Sequence, residues 1–177
     1  MHELIKDAVT NGAKTASIIS TTEIPFDPEL RKLCESNQCG NYGKSWTCPP
    51  DVGDVNELIK KAKSFDKALV FQTVSEIEDS YDFEGMMQGL KHHEDITKKI
   101  EKLVHNKIDA PVLQLSAGWC KVCDKCAKID KKPCRHPEKA VASLESYGIF
   151  VSGLAEKAGM KYINGVNTVT YFGAFLY

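Results

Sequence analysis

Seven cysteines fall in two groups along this 177-residue chain, and they limit what it can fold into and do more sharply than any other feature. Cys120, Cys123 and Cys126 form C-x-x-C-x-x-C, and Cys134 follows in Lys132-Pro133-Cys134-Arg135-His136-Pro137. Cys34, Cys39 and Cys48 stand upstream, in a stretch rich in glycine, proline and aromatic residues. An odd number of cysteines cannot pair completely. The opening residues Met1-His2-Glu3-Leu4-Ile5-Lys6-Asp7 carry charge where a signal peptide places its apolar region, so the expected location is the cytoplasm. Thiols there stay reduced, and reduced clustered thiols point to metal or redox chemistry rather than to a disulfide scaffold.

The remaining composition removes other classes. Hydrophobic residues make up 42% of the chain, enough for a core without covalent support. A formal net charge of −1 argues against a nucleic-acid partner. Apolar runs such as Ala68–Phe71 are far too short to span a membrane. The length suits one domain over residues 1–177, and no linker or internal repeat divides it.

Patterning predicts helices and strands in alternation. Leu4, Ile5, Ala8 and Val9 share one face of a helix over 2–11, stopped at Gly12. Ala13–Ser20 is a strand. Asp27 caps a helix to about Glu35, and Asp54 caps another to about Ser64. Lys67–Val74 and Val112–Ser116 are strands around a long helix, Phe83 to about Asn106. Pro137–Tyr147 is expected to be a helix ended by Gly148, followed by a short helix over 150–158 and a final strand, Thr168–Leu176. Residues 36–53 have no period and read as an ordered loop. The expected fold is α/β or α+β: a single sheet of about four strands flanked by helices, with two cysteine-rich loops.

The downstream group carries the stronger chemical signal. Three thiolates spaced three residues apart can wrap around three irons of a cubane cluster, with a fourth ligand from farther along. Zinc sites more often pair two C-x-x-C units across a longer knuckle, which leaves the middle cysteine of a triplet surplus. Lys121, Lys125, Lys128, Lys131, Lys132 and Arg135 surround the thiols against only Asp124 and Asp130 in the same stretch. Positive charge favours thiolate, although a run of lysines also suits a plain solvated loop. In two-cluster ferredoxins the remote cysteine serves the other cluster, so Cys134 has two possible sites.

The upstream group lies in Cys39-Gly40-Asn41-Tyr42-Gly43-Lys44-Ser45-Trp46-Thr47-Cys48-Pro49-Pro50. Three thiols can hold a cluster with one open iron, or a complete one with help from Cys134. The alternative for Cys34 is a small buried apolar side chain on the preceding helix. The stretch ending in Gly43-Lys44-Ser45 echoes a phosphate-binding loop, but Gln38 stands where the first glycine is required and prolines follow where a helix should. Tyr42, Trp46 and Trp119 can shield a cluster or simply pack. His136 and His105 are candidate ligands, whereas His92 and His93 fall on the long helix.

Together these stretches, with Ser143-Leu144-Glu145-Ser146-Tyr147-Gly148-Ile149, resemble the family of predicted metal-binding proteins called domain of unknown function 2284. The family pattern usually has Met where this chain has Leu144, a conservative change. The resemblance implies an iron–sulfur protein of the kind found in anaerobes, with Cys34, Cys39, Cys48, Cys120, Cys123, Cys126 and Cys134 as candidate ligands. It supplies no reaction. The leading expectation is a redox or electron-transfer protein with one or two iron–sulfur clusters of the 4Fe–4S type. One would sit on Cys120, Cys123, Cys126 and Cys134, and a second site on Cys34, Cys39 and Cys48. Its partner would be a redox protein or a small molecule. Two rivals stand beside it: an enzyme with an open iron and a pocket beside Cys39 and Cys48, and a structural zinc or metal-carrier protein.

Overall fold

The computed structural model describes residues 2–177. Ten regular elements follow in order: α1 (His2–Thr10), β1 (Thr15–Ser20), α2 (Arg31–Glu35), α3 (Val55–Lys63), β2 (Lys67–Glu76), α4 (Phe83–Lys107), β3 (Leu113–Ser116), β4 (Ala142–Ser143), α5 (Val151–Lys157) and β5 (Thr168–Leu176). The strands form one sheet in the order β1-β2-β5-β3-β4. Neighbours are antiparallel except β3 and β4, which run parallel. Among the described residues no helix is long and apolar enough to cross a membrane.

The mixed α/β fold with one sheet is the expected one. The four expected strands are all present, and the fifth strand, β4, lies inside the stretch expected to be helical. Pro137–Tyr147 is instead a 3-10 turn over Pro137–Lys139, the two residues of β4, and a second 3-10 turn over Glu145–Tyr147. The reason is tertiary: Leu115 pairs with Ala142 and Ser116 with Ser143, which draws this segment into the sheet edge. Gly148 still ends the segment, in the left-handed conformation at φ 67°. The helix expected after Asp27 is a 3-10 turn over Pro28–Leu30 continuing into α2, and the Asp27 carboxylate accepts from the Glu29 amide at 2.9 Å.

Alternation along β2 explains its unbroken apolar run, since side chains on a strand point to opposite faces. Leu69 and Phe71 face α1 and α4, where they pack with Leu4, Ala8, Ile96, Ile100, Val104 and Phe175. Ala68 and Val70 face the other side, with Ala62 of α3, Leu154 of α5, Tyr147 and Ile149. β2 pairs on both edges, with β1 and β5, so it has no solvent-facing side.

One contact across the central pair is unusually close. Phe71 lies opposite Gly173, and a Cβ built on Gly173 would fall 2.4 Å from the Phe71 ring. The ring lies over the glycine and stacks on Phe175 (centroids 5.9 Å apart) and on His93 of α4 (5.4 Å). Substitution Gly173→Ala is therefore expected to lower stability by about 1–3 kcal/mol through overpacking. Urea denaturation checks this, and an unchanged midpoint would show that the ring moves aside freely.

Candidate metal centre

β3 ends at Ser116 and releases the chain into a loop that carries the downstream cysteines. Gly118 takes φ 72°, and the loop then closes a 3-10 turn over Ala127–Asp130. Cys126 stands at the first position before that turn, and Lys131 ends it in the left-handed conformation. The return path brings Cys134 back toward the triplet. Cys120, Cys123, Cys126 and Cys134 line one small cavity together with Ser45, Trp46 and Thr47 from the upstream loop.

The two cysteine loops, separate in sequence, are thus docked on each other. The Thr47 hydroxyl accepts from the Cys120 amide at 3.4 Å, and the Trp46 indole donates to the Lys132 carbonyl at 3.0 Å. Lys128 sits over the Trp46 ring, 4.4 Å from its centroid, and also pairs with Asp51. Ser45 and Thr47 are buried and hydrogen-bonded to each other at 3.1 Å. Ser45 lines the downstream cysteine cavity and lies three residues before Cys48, so it stands between the two cysteine groups.

The thiols differ in character. Burial opposes ionisation of Cys126, but backbone amides of Lys128 and Trp46, the Ser45 hydroxyl and nearby Arg135 outweigh it and lower its pKa. Burial pushes Cys48 up to about 11, with Cys39 adding to the rise. Burial also raises Cys34, against the pull of Arg31, while Glu145 and Cys39 add negative charge beside it. The upstream cysteines therefore share one electrostatic neighbourhood, with Glu145 at its edge. Glu145 is exposed at the edge of this region. Arg31 ties this region together by donating to the Gly53 and Ser146 carbonyls at 2.9 and 3.0 Å. All seven cysteines are free thiols. Among the described residues no three His, Cys, Asp or Glu side chains converge as they would around a single ion.

Several expectations change on contact with the fold. The basic surround is less one-sided than its own stretch suggests. Glu94 of α4 pairs with Lys121 at 2.5 Å, Asp51 pairs with Lys128, and Asp130 pairs with Lys125 at 2.5 Å. Long-range packing supplied Glu94 and Asp51, which no local window contains. His136 lines the cysteine cavity, whereas His105 and His92 are exposed on α4 and Tyr42 is half-buried. The larger of two cavities, about 430 Å³, opens beside Cys120 and Trp119.

His93 is the functional candidate that sequence reasoning passed over. It is fully buried, and its ring is bonded to Thr73 at 2.9 Å on one side and to Ser116 at 3.2 Å on the other. Ser116 lines the larger cavity. Only the register of α4 against the sheet reveals this: helix spacing placed His93 on a face without saying what that face met.

A single-sheet α/β chain with two docked cysteine loops defines a class of candidate metal-binding proteins. Residues 17–177 match the family described as "Predicted metal-binding protein (DUF2284)", and the chain belongs to that family. Comparison with curated proteins returns no match. A solved structure of epoxyqueuosine reductase with a tRNA-Tyr epoxyqueuosine-modified stem loop is similar over 98% of this chain and 44% of that one, at 9% identity and a TM-score of 0.40. The chain thus spans less than half the length of that protein.

Burial, with Lys121 nearby, lowers the pKa of His93 from 6.5 to about 4. The unfolded chain takes up this proton near 6.5 and the folded chain does so only near 4. Stability is therefore complete above that window and falls through it as pH drops, by roughly 3 kcal/mol for this group. Urea midpoints between pH 7 and 4 should show the advantage of the wild type over His93→Gln shrinking by that amount. A constant difference would mean that His93 is not held neutral.

Proposed function

We propose that this chain is an iron–sulfur redox protein whose Cys120, Cys123, Cys126 and Cys134 hold one 4Fe–4S cluster, with Cys34, Cys39 and Cys48 forming a second site. The observation that carries the reading is that the four downstream thiols line a single cavity. Their spacing, a C-x-x-C-x-x-C triplet with Cys134 beyond it, is that of a cubane-binding loop. A lone zinc would draw four sulfurs to within about 2.3 Å of itself, whereas a cubane meets each thiolate at a separate iron. When bound, such a cluster supplies one-electron redox chemistry.

The chain's own groups suit that cargo. The surroundings of Cys126, with the Lys128 and Trp46 amides, the Ser45 hydroxyl and Arg135 near it, outweigh its burial and favour the thiolate. Trp46 closes the cavity on the side of the upstream loop, which limits water there. A second reading, an open iron at the upstream site, draws on the donor set there: three thiols, with the Glu145 carboxyl near Cys34 as an oxygen donor.

Iron, sulfide and zinc content of protein purified without oxygen tests the proposal. About eight irons with matching sulfide mean two cubanes, and about four mean one. Cys123→Ala is expected to lose the visible absorbance and iron of the downstream site while retaining those of the upstream site. Zinc without sulfide, or full iron and sulfide in Cys123→Ala, would overturn the assignment.

A further inference from the structure

We infer that the cavity of about 430 Å³ beside Cys120 is a binding site for a small, flat organic zwitterion, a molecule of the aromatic amino acid class. Its size falls in the range of small-molecule pockets. It lies at the carboxyl end of β3, where the chain leaves the sheet for the downstream cysteine loop.

The walls specify the occupant. Trp119 gives a planar apolar surface, extended by Val122, Val141 and Ala142. The indole is held in place, because Lys121 caps its ring at 4.5 Å and is itself pinned by Glu94 at 2.5 Å. That pair closes on itself and leaves no net charge for a ligand. Lys98 is 3.6 Å from Asp95 on the same helix, in an exposed pair. Two charged lining groups remain without an ion pair among the described residues, Lys139 and Glu101, one of each sign. A ligand with one anionic and one cationic group satisfies both, whereas a plain anion or cation leaves one unanswered. Ser116 adds a hydroxyl oriented from behind by the buried Thr73–His93 pair.

Cys120 lines both this cavity and the cysteine cavity, so a bound molecule sits against the proposed cluster. That adjacency rests on the iron–sulfur reading; the binding site itself does not.

Calorimetry on anaerobically purified protein, with metal and sulfide measured on the same sample, tests the inference with L-phenylalanine, 3-phenylpropionate and phenethylamine. L-Phenylalanine is expected to bind at least about tenfold more tightly than either singly charged analogue. Lys139→Met should reduce it to the level of phenethylamine, and Glu101→Gln to that of 3-phenylpropionate. Both positions keep solvent contact, so these variants are expected to fold even where Trp119→Ala does not. In folded Trp119→Ala, affinity should fall about tenfold. No heat from L-phenylalanine at about 10 mM, or affinity unmoved by both charge variants, overturns the inference. Iron and sulfide present without binding sinks this site alone. Charge-dependent binding by a protein carrying zinc and no sulfide upholds the site and sinks the cluster.

Discussion

Phe71 lies over Gly173 because the central strands bring a large ring opposite the one residue without a side chain. The rest of the site hangs on that contact. The ring forms the platform on which His93 stacks, which sets the position of α4 over the sheet. Gly89, one turn earlier, lets the helix approach Ser75 and Val169, since a Cβ there would lie 3.0–3.2 Å from their side chains. With α4 seated, His93 reaches Thr73 and Ser116, and Glu94 reaches Lys121. Packing in the core thereby fixes both the end of β3 and the first residues of the downstream cysteine loop.

The two cysteine loops solve a shared problem. Each is too polar and irregular to bury itself, and each holds backbone groups that need partners. Docking supplies them: Thr47 serves the Cys120 amide, Trp46 serves the Lys132 carbonyl, and Lys128 covers Trp46 while meeting Asp51. The same docking places amide and hydroxyl donors around Cys126 and lowers its pKa, while Cys48, three residues beyond Ser45, is buried and raised. Differences in thiol character thus follow from which loop covers which sulfur rather than from local sequence.

Charge around the site follows a similar logic. Six basic residues crowd one stretch, yet three lysines are neutralised by carboxylates, two of them brought from elsewhere in the chain. The pairs hold the loop in shape as much as they bias its potential. Lys121 shows both roles, since it caps Trp119, meets Glu94 and helps hold His93 neutral.

Some of this was legible from the chain alone. β-Branched content, short apolar runs and, in β5, alternation marked the four main strands; apolar spacing marked α1 and α4, and the Asp54 cap marked α3, because these signals record burial or local hydrogen bonding directly. The cysteine spacing identified the candidate ligands, since the geometry of a chelating loop is local. Tertiary structure alone decided what depends on distant partners. Ala142–Ser143 became a strand because β3 offered an edge, although the local pattern favoured helix. Ser45 and Thr47 entered the cysteine cavity, His93 met Ser116, and the larger pocket opened beside Cys120, because packing joins residues far apart in sequence. Sequence spacing carries short-range geometry, and only the folded chain sets which surfaces face one another.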